Sequence, residues 1–402
     1  DNYSYFCGNI FYNNLLDLSM RMKKLLFATC CIAFLSGSLG AAAQKKSAAK
    51  NVLTQTLKGK SWSADNGNGT FTNPLFYDEF SDPDIIRVGE DYYLAGTTMH
   101  CVPGLVVLHS KDLVNWEFSS YCFDRLDDSD DFNLRNGKEA YGQGIWAPAI
   151  RYHNGKFYIF SNINGHGLQV YISDSAKGPW THHKVNGDIY DLSVLFDEDG
   201  KIYAVHKYGN VTVTELKPDL SGPVEGSSKV VIPEGNAMGE GHHIYKINGM
   251  YYILSADYSP MGRMQCARSK SIWGPYETCV ISERESYGYA AGWSVGNMGI
   301  GRPLPEDGFN FQNNKPNGLN LGCATIHQGG IVQAPDGKWW GVSMQDFNAV
   351  GRTVCLSPIT WVDGWPYFGL EKNLGRSPRT WFKPNDMVKT PQAPYDLSLI
   401  HI

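Results

Sequence analysis

The chain has 402 residues, 42% of them hydrophobic, enough to bury a full-sized core. Charged residues make up only 19% and the formal net charge is −5, with no basic run beyond Lys45-Lys46, which argues against nucleic acid as a partner. Gly (43), Tyr (23) and Trp (11) are plentiful, a mixture that excludes disorder and suits an all-β domain rich in turns.

Residues 1–19 are read as a segment upstream of the true start. Residues 20–43 then carry the parts of a secretory signal peptide: Met20 or Met22, a basic stub of Arg21, Lys23 and Lys24, an apolar stretch from Leu25 to Leu35, and Ala41-Ala42-Ala43 before Gln44. That stretch is too short to span a membrane, so a secreted or periplasmic location is expected. A lipoprotein signal would need a small residue before Cys30 or Cys31; Thr29 and Cys30 stand there, which argues against a lipid anchor. Residues 44–70 read as a flexible polar lead-in. Cysteines 101, 122, 266, 279, 323 and 355 follow the signal, and no C-x-x-C spacing suggests zinc or thioredoxin-like chemistry. Disulfide pairing stays open, and buried free thiols are the simpler reading.

Between residues 71 and 370, a hydrophobic run breaks five times at a polar turn and resumes on aromatic residues. The turns read Gly89-Glu90-Asp91-Tyr92-Tyr93, Asn154-Gly155-Lys156-Phe157-Tyr158, Asp199-Gly200-Lys201-Ile202-Tyr203, Asn248-Gly249-Met250-Tyr251-Tyr252 and Asp336-Gly337-Lys338-Trp339-Trp340. Asn-Gly and Asp-Gly accept the positive φ of tight hairpins, and a hairpin recurring at this interval predicts a five-bladed β-propeller. Trp116, Trp180 and Trp273 each follow a later strand and its polar turn, as if closing over a blade edge; Val213 to Asp219 in blade three departs from this pattern. An insertion from Glu283 to Cys323, rich in Gly, Asn and Pro, is expected to wall a pocket or to move. Residues 371–402 read as a linker and truncated tail.

In a propeller the innermost strands all start beside the central channel, so equivalent residues converge there. Stepping back twelve residues from the second aromatic of each turn lands on Trp146, Asp191, Glu240 and Gln328 (beside His327), and on Ser81, one short of Asp82. A bulge or the Asp82-Pro83 corner is expected to absorb that slip. Three carboxylates at matched phase among aromatics are the parts of a glycoside-hydrolysing site. One acid stays protonated to donate to the leaving oxygen, another is ionised to activate water, and a like-charged neighbour raises the donor's pKa. Trp146 offers a flat face to a sugar ring.

The segments Ser81-Asp82-Pro83-Asp84, His109-Ser110-Lys111-Asp112-Leu113, Gly144-Ile145-Trp146-Ala147-Pro148, Glu240-Gly241-His242-His243 and Trp361-Val362-Asp363-Gly364-Trp365-Pro366 closely resemble glycoside hydrolase family 43, in particular its β-xylosidase and α-L-arabinofuranosidase group. The resemblance implies inverting removal of a terminal pentose, β-D-xylose or α-L-arabinofuranose, from hemicellulose-type oligosaccharides. It implies Asp82 as general base, Glu240 as general acid and Asp191 as the residue that tunes and orients the acid. It implies Trp146 as a pocket wall, Arg352 as a substrate contact, and His327 beside a structural cation such as Ca2+; Gln328, placed at the matched phase, is expected to contact substrate as well. No cofactor is implied for the chemistry itself. Two departures stand out: Leu192 replaces the Pro usual after the third acid, and His242 replaces a small residue usual after Glu-Gly. Relatives in this group carry a C-terminal β-sandwich, expected to be missing here.

The competing reading is a non-catalytic carbohydrate-binding propeller, which would have no use for a proton donor at Glu240. Which pentose is removed, exo or endo action, and oligomeric state stay open.

Overall fold

The computed structural model of the protein describes residues 63–126, 129–236, 238–257, 263–282, 328–346, 352–375 and 380–384. A first short strand, β1 (Thr70–Thr72), precedes five four-stranded antiparallel sheets taken in sequence order. Blade one holds β2 (Ser81–Val88), β3 (Asp91–Thr97), β4 (Gly104–Ser110) and β5 (Glu117–Phe123). Blade two holds β6 (Ile145–His153), β7 (Lys156–Ile163), β8 (Gly167–Ser173) and β9 (Thr181–Lys184). Blade three holds β10 (Ser193–Phe196), β11 (Ile202–His206), β12 (Val211–Leu216) and β13 (Lys229–Ile232). Blade four holds β14 (Glu240–Ile247), β15 (Met250–Asp257), β16 (Arg263–Ser269) and β17 (Glu277–Val280). Blade five holds β18 (Ile331–Gln333), β19 (Trp339–Asp346), β20 (Arg352–Val362) and β21 (Trp365–Phe368). A last strand, β22 (Thr380–Phe382), lies in the segment read as linker and pairs with β1. Among the described residues there is no α-helix, and the five-bladed all-β propeller expected from the sequence is what forms.

The hairpins form for the reason their turns suggest. Asn154 and Gly155 sit at φ 48° and 80°, and Asn248 and Gly249 at 50° and 76°, the left-handed pair of a two-residue loop whose twist matches its strands. Blades three and five use a loop one residue longer, closed by Asp197 N to Lys201 O and by Ala334 N to Lys338 O.

Five apolar clusters hold the blades, one at each seam. Ile85 and Leu94 of blade one meet Trp340 and Val342 of blade five. Val107 and Ile159 join blades one and two, and Phe160 and Val194 join two and three. Val213 and Ile253 join three and four, and Leu254 and Phe368 join four and five. The predicted tryptophan closures reach across seams: Trp180 Nε1 donates to Ser120 Oγ of blade one at 3.0 Å, and Trp273 meets Tyr203 of blade three edge-on at 5.7 Å.

Among the described residues no strand is shared between the first and last blades, and the ring is closed otherwise. The chain before blade one runs along the uncovered half of β20, with Leu75 N donating to Val354 O at 2.8 Å and Phe80 N to Arg352 O at 2.9 Å. The Asn73 side chain pairs with both the N–H and the C=O of Leu356, each at 2.9 Å. The β1–β22 ribbon lies over this seam and buries Phe71 and Trp381 in its cluster. Three-residue strands offer few backbone hydrogen bonds, each worth about 1 kcal/mol net. A buried aromatic is worth about 2 kcal/mol or more, so the apolar seam does most of the closing.

Candidate active site

The site is assembled by one backbone feature repeated on all five blades. In the hairpin register Ile86, Arg151, Leu195, Tyr245 and Val332 face Tyr93, Tyr158, Tyr203, Tyr252 and Trp340. Four residues before each stands Asp82, Ala147, Asp191, Gly241 or Gln328, with φ of 51°, 38°, 52°, 67° and 47°. Each innermost strand therefore begins with a left-handed kink, and in blades one, two and four it falls within a register shift of β2, β6 or β14. A non-glycine residue held there costs about 1–2 kcal/mol. Four of the five blades carry that strain where their strands meet the channel.

This register corrects the twelve-residue spacing. Asp82, Ala147 and Gly241 lie eleven residues before their aromatics, whereas Asp191 and Gln328 lie twelve before theirs, because blades three and five have the longer loop. Asp82 is thus in line with Asp191, with no slip for a bulge or proline to absorb. Glu240 and Trp146 each sit one residue ahead of the kink, and the blade-three residue at that phase is Tyr190.

Four of the five kinks pass their amide to the preceding blade. Asp82 N points at Met344 Sδ (3.4 Å), Ala147 N donates to Thr97 Oγ1 (2.8 Å) and Asp191 N to Asn162 Oδ1 (3.0 Å). In blade four the acceptor is a carboxylate: Gly241 N donates to Asp191 Oδ2 at 2.7 Å. Thr97 has accepted the Ala147 amide, so its own proton goes to Asp82 Oδ2 at 2.5 Å. One hydroxyl therefore fixes both a wall of the site and the orientation of Asp82.

The three predicted acids come together in different surroundings. Asp82 and Asp191 line one cavity at the axis with Gly241 and Gln328. Asp191 is buried at 5% exposure. Burial, then the charges of Glu240 and Asp82, push its carboxyl well above the usual range against the pull of the Gly241 amide. Glu240 stands at the start of β14, half-buried, with the Tyr190 hydroxyl donating to Oε2 at 3.1 Å. Trp146 is half-buried, and its Nε1 points to Gly142 O at 3.4 Å.

Arg352 places Nη1 3.8 Å from Asp82 Oδ1, and its amide donates to Glu79 Oε2 at 2.8 Å. Glu79 was not anticipated: burial raises its pKa in spite of the Arg352 amide and the Ser81 hydroxyl. Gln328 is buried against Gly241, where an added Cβ would lie 2.3 Å from Gln328 Cγ. His242, the unusual residue after Glu-Gly, is held by Ser255 Oγ and Lys207 O, both at 2.6 Å. Burial lowers its pKa to about 4, so it is neutral at ordinary pH and donates from Nε2 to the carbonyl. His327 lies outside the described residues, as does the insertion from Glu283 to Cys323.

Two residues beyond the kinks lies a second, buried polar layer. Asp84 accepts from Arg151 Nη1 (2.5 Å), Ile150 N (2.9 Å) and Ile85 N (3.0 Å), and pairs with His243 Nδ1 (3.0 Å). Burial alone would raise the Asp84 pKa, but Arg151 and His243 reverse the sign and hold it below the ordinary value. Arg151 Nη2 also donates to Ser193 Oγ at 2.5 Å, and the Tyr245 hydroxyl accepts from Ile331 N of blade five at 2.9 Å. With the oxygens of Asp84 so committed beside a guanidinium, this level does not offer the oxygen cage a hard cation needs. Among the described residues no cluster of His, Cys, Asp and Glu is placed to hold a metal.

Thr97, Asn162, Tyr190 and Glu79 escaped the sequence reading. Tyr190 had a usable signal, since it precedes Asp191 as Glu240 precedes Gly241. The others reach the site from positions outside the repeated phase.

The profile described as glycosyl hydrolases family 43 matches residues 71–288. A β-xylosidase of Formosa agariphila is 30% identical over 400 residues, covering 88% of this chain and 61% of the relative. A non-reducing end α-L-arabinofuranosidase of Bacteroides ovatus is 33% identical over 332 residues, covering 79% of this chain and 56% of the relative. A solved bifunctional GH43-CE protein of Bacteroides eggerthii superimposes with a TM-score of 0.64 at 34% identity, over 78% of this chain and 37% of the other. The chain thus spans about three-fifths of the length of the curated relatives it matches. With the propeller, the kinked ring and these likenesses in agreement, the chain belongs to glycosyl hydrolases family 43.

Proposed function

We propose that the protein hydrolyses glycosidic bonds with inversion, releasing a terminal pentose, β-D-xylose or α-L-arabinofuranose, from hemicellulose-type oligosaccharides outside the cytoplasm. Glu240 is the general acid and Asp82 the general base. Asp191 orients the Glu240 segment through the Gly241 amide and, as a like-charged neighbour when ionised, raises the donor's pKa. Trp146 walls the sugar pocket, while Arg352 and Gln328 contact the sugar. The observation that carries this reading is the convergence of three carboxylates: burial, then the charges of Glu240 and Asp82, push the Asp191 carboxyl above its usual range, so the three acids act on one another. Carboxyls gathered this closely can supply both the proton donor and the base of glycoside hydrolysis.

In the proposed reaction Glu240 gives its proton to the glycosidic oxygen as that bond breaks. Asp82, its carboxylate turned by the Thr97 hydroxyl, takes a proton from a water attacking the opposite face of the sugar. Arg352, with Nη1 3.8 Å from Asp82 Oδ1, sets a positive charge beside the base. No metal enters any step; the cation expected beside His327 is not needed. Export through residues 20–43 is proposed on the signal-like sequence alone.

The test is a panel of aryl β-xyloside, α-L-arabinofuranoside and β-galactoside for the wild type, with wild type and Glu240→Gln also compared on an unactivated pentose disaccharide. One or both pentosides are expected to be cleaved, and Glu240→Gln is expected to slow the cleavage of unactivated glycosides by about 100- to 10,000-fold. Undiminished hydrolysis by Glu240→Gln would remove the assigned donor and the reading with it.

A further inference from the structure

We propose that Tyr190 is a positioning residue for the proton donor: its phenol holds the Glu240 carboxyl and stabilises the carboxylate left after proton transfer. This rests on the reading of Glu240 as general acid and extends it to a residue that sequence phase and family resemblance did not single out. The contact is direct, with the Tyr190 hydroxyl donating to Glu240 Oε2 at 3.1 Å.

The phenol is held in place from both sides of its own backbone. Lys207 N donates to Tyr190 O at 3.0 Å. Asn162 takes the Asp191 amide at 3.0 Å and donates to Ile189 O at 2.8 Å, so one side chain clamps residues 189 to 191. The left-handed kink at Asp191 then turns Tyr190 toward the next blade. Burial and the carboxylates of Glu240, Asp191 and Asp82 raise the phenol's pKa, so it remains a donor throughout the working range.

A hydrogen bond donated to a carboxyl is stronger when the carboxyl is ionised. The Tyr190 contact therefore tightens as Glu240 loses its proton, and such a gain accelerates the step in which it occurs. The benefit should scale with how far proton transfer has advanced. It is large for a sugar leaving group, which must be protonated to depart. It is near zero for 2,4-dinitrophenolate, which leaves unaided. Among the described residues, the charged and titratable groups near Glu240 include Asp191, Asp82 with Arg352 beside it, and Tyr190 itself.

Tyr190→Phe removes the donor and keeps the ring. In the full-length protein, kcat on a pentose disaccharide is expected to fall about tenfold, with kcat on the matching 2,4-dinitrophenyl glycoside within about twofold of wild type. Loss of the donor destabilises the Glu240 carboxylate, so the alkaline limb of the disaccharide pH profile should move to higher pH. The retained dinitrophenyl activity shows that the site is still folded. Equal losses on both substrates, or an unmoved alkaline limb with an unchanged ratio, would overturn the inference. Glu240→Gln run in parallel separates the two ideas. If it is inactive on the disaccharide while Tyr190→Phe matches wild type, only the role of Tyr190 fails; if it is fully active, the donor assignment itself has failed.

Discussion

The amide of Gly241 donates to Oδ2 of Asp191 at 2.7 Å across the seam between blades three and four. This bond occupies the place that Thr97 and Asn162 fill at the two preceding seams, where a neutral side chain accepts the amide of the next kink. At this seam the acceptor is an acid, and the amide it holds lies one residue after Glu240. A scaffolding position has thereby become an electrostatic one.

Asp191→Asn keeps an oxygen for the Gly241 amide and removes the charge. The folded-state pKa of Asp191 lies above its unfolded value, so the folded chain holds this proton more tightly. Its contribution is complete below the unfolded pKa and is lost as pH rises through the folded one. The Asn variant should therefore be more stable than wild type at pH 7, by roughly 1 kcal/mol, with the difference vanishing near pH 3.5. Urea denaturation at the two pH values measures this. Activity should fall about 100-fold in the same protein, a trade expected where strain and charge serve a reaction.

Gly241→Ala should harm both folding and activity, because the backbone there is left-handed (φ 67°) and the new Cβ would lie 2.3 Å from Gln328 Cγ. A loss of about 2–3 kcal/mol is expected from overlap and backbone strain together. Gln328→Ala in the same chain should return the overlap part and leave the backbone part. Full recovery would mean that the kink itself is unstrained.

Arg151 and Asp84 form a buried pair at 13% and 1% side-chain exposure. Arg151→Met strands a buried carboxylate and should cost about 3–5 kcal/mol, whereas adding Asp84→Asn should recover much of it. The low folded pKa of Asp84 contributes stability above its unfolded pKa that is lost as pH falls through the folded value. Arg151→Met removes a cause of that low pKa, so its stability deficit against wild type should shrink as pH falls, which urea denaturation across a pH series would follow.

The propeller was legible in the sequence because each hairpin writes its own turn residues and aromatic partners, from Asn154-Gly155 beside Phe157-Tyr158 to Asp336-Gly337 beside Trp339-Trp340. Asp82, Asp191 and Glu240 were legible as a group because all three stand where innermost strands begin. Their true phase was not legible. One extra residue in the loops of blades three and five shifts a fixed spacing, and only the strand register reveals which residues share the kink. Thr97, Asn162 and Glu79 were hidden for another reason. They sit on β3, on β7 and before β2, and reach the channel only once the sheet twist brings neighbouring blades together. The closure by Asn73 and by β1 with β22 was equally silent, since a three-residue strand carries no period of its own.

The central claim is that Asp82 and Glu240 act from opposite faces of one sugar, through a single displacement by water. Proton NMR during the first minutes of hydrolysis of an aryl β-D-xyloside, or of the α-L-arabinofuranoside if that is the better substrate, tests this most directly. Inverted sugar should appear first, α-xylose or β-arabinofuranose, followed by slow mutarotation. First release of the retained anomer would require a covalent sugar–enzyme intermediate and would contradict the pairing of Asp82 as base with Glu240 as acid.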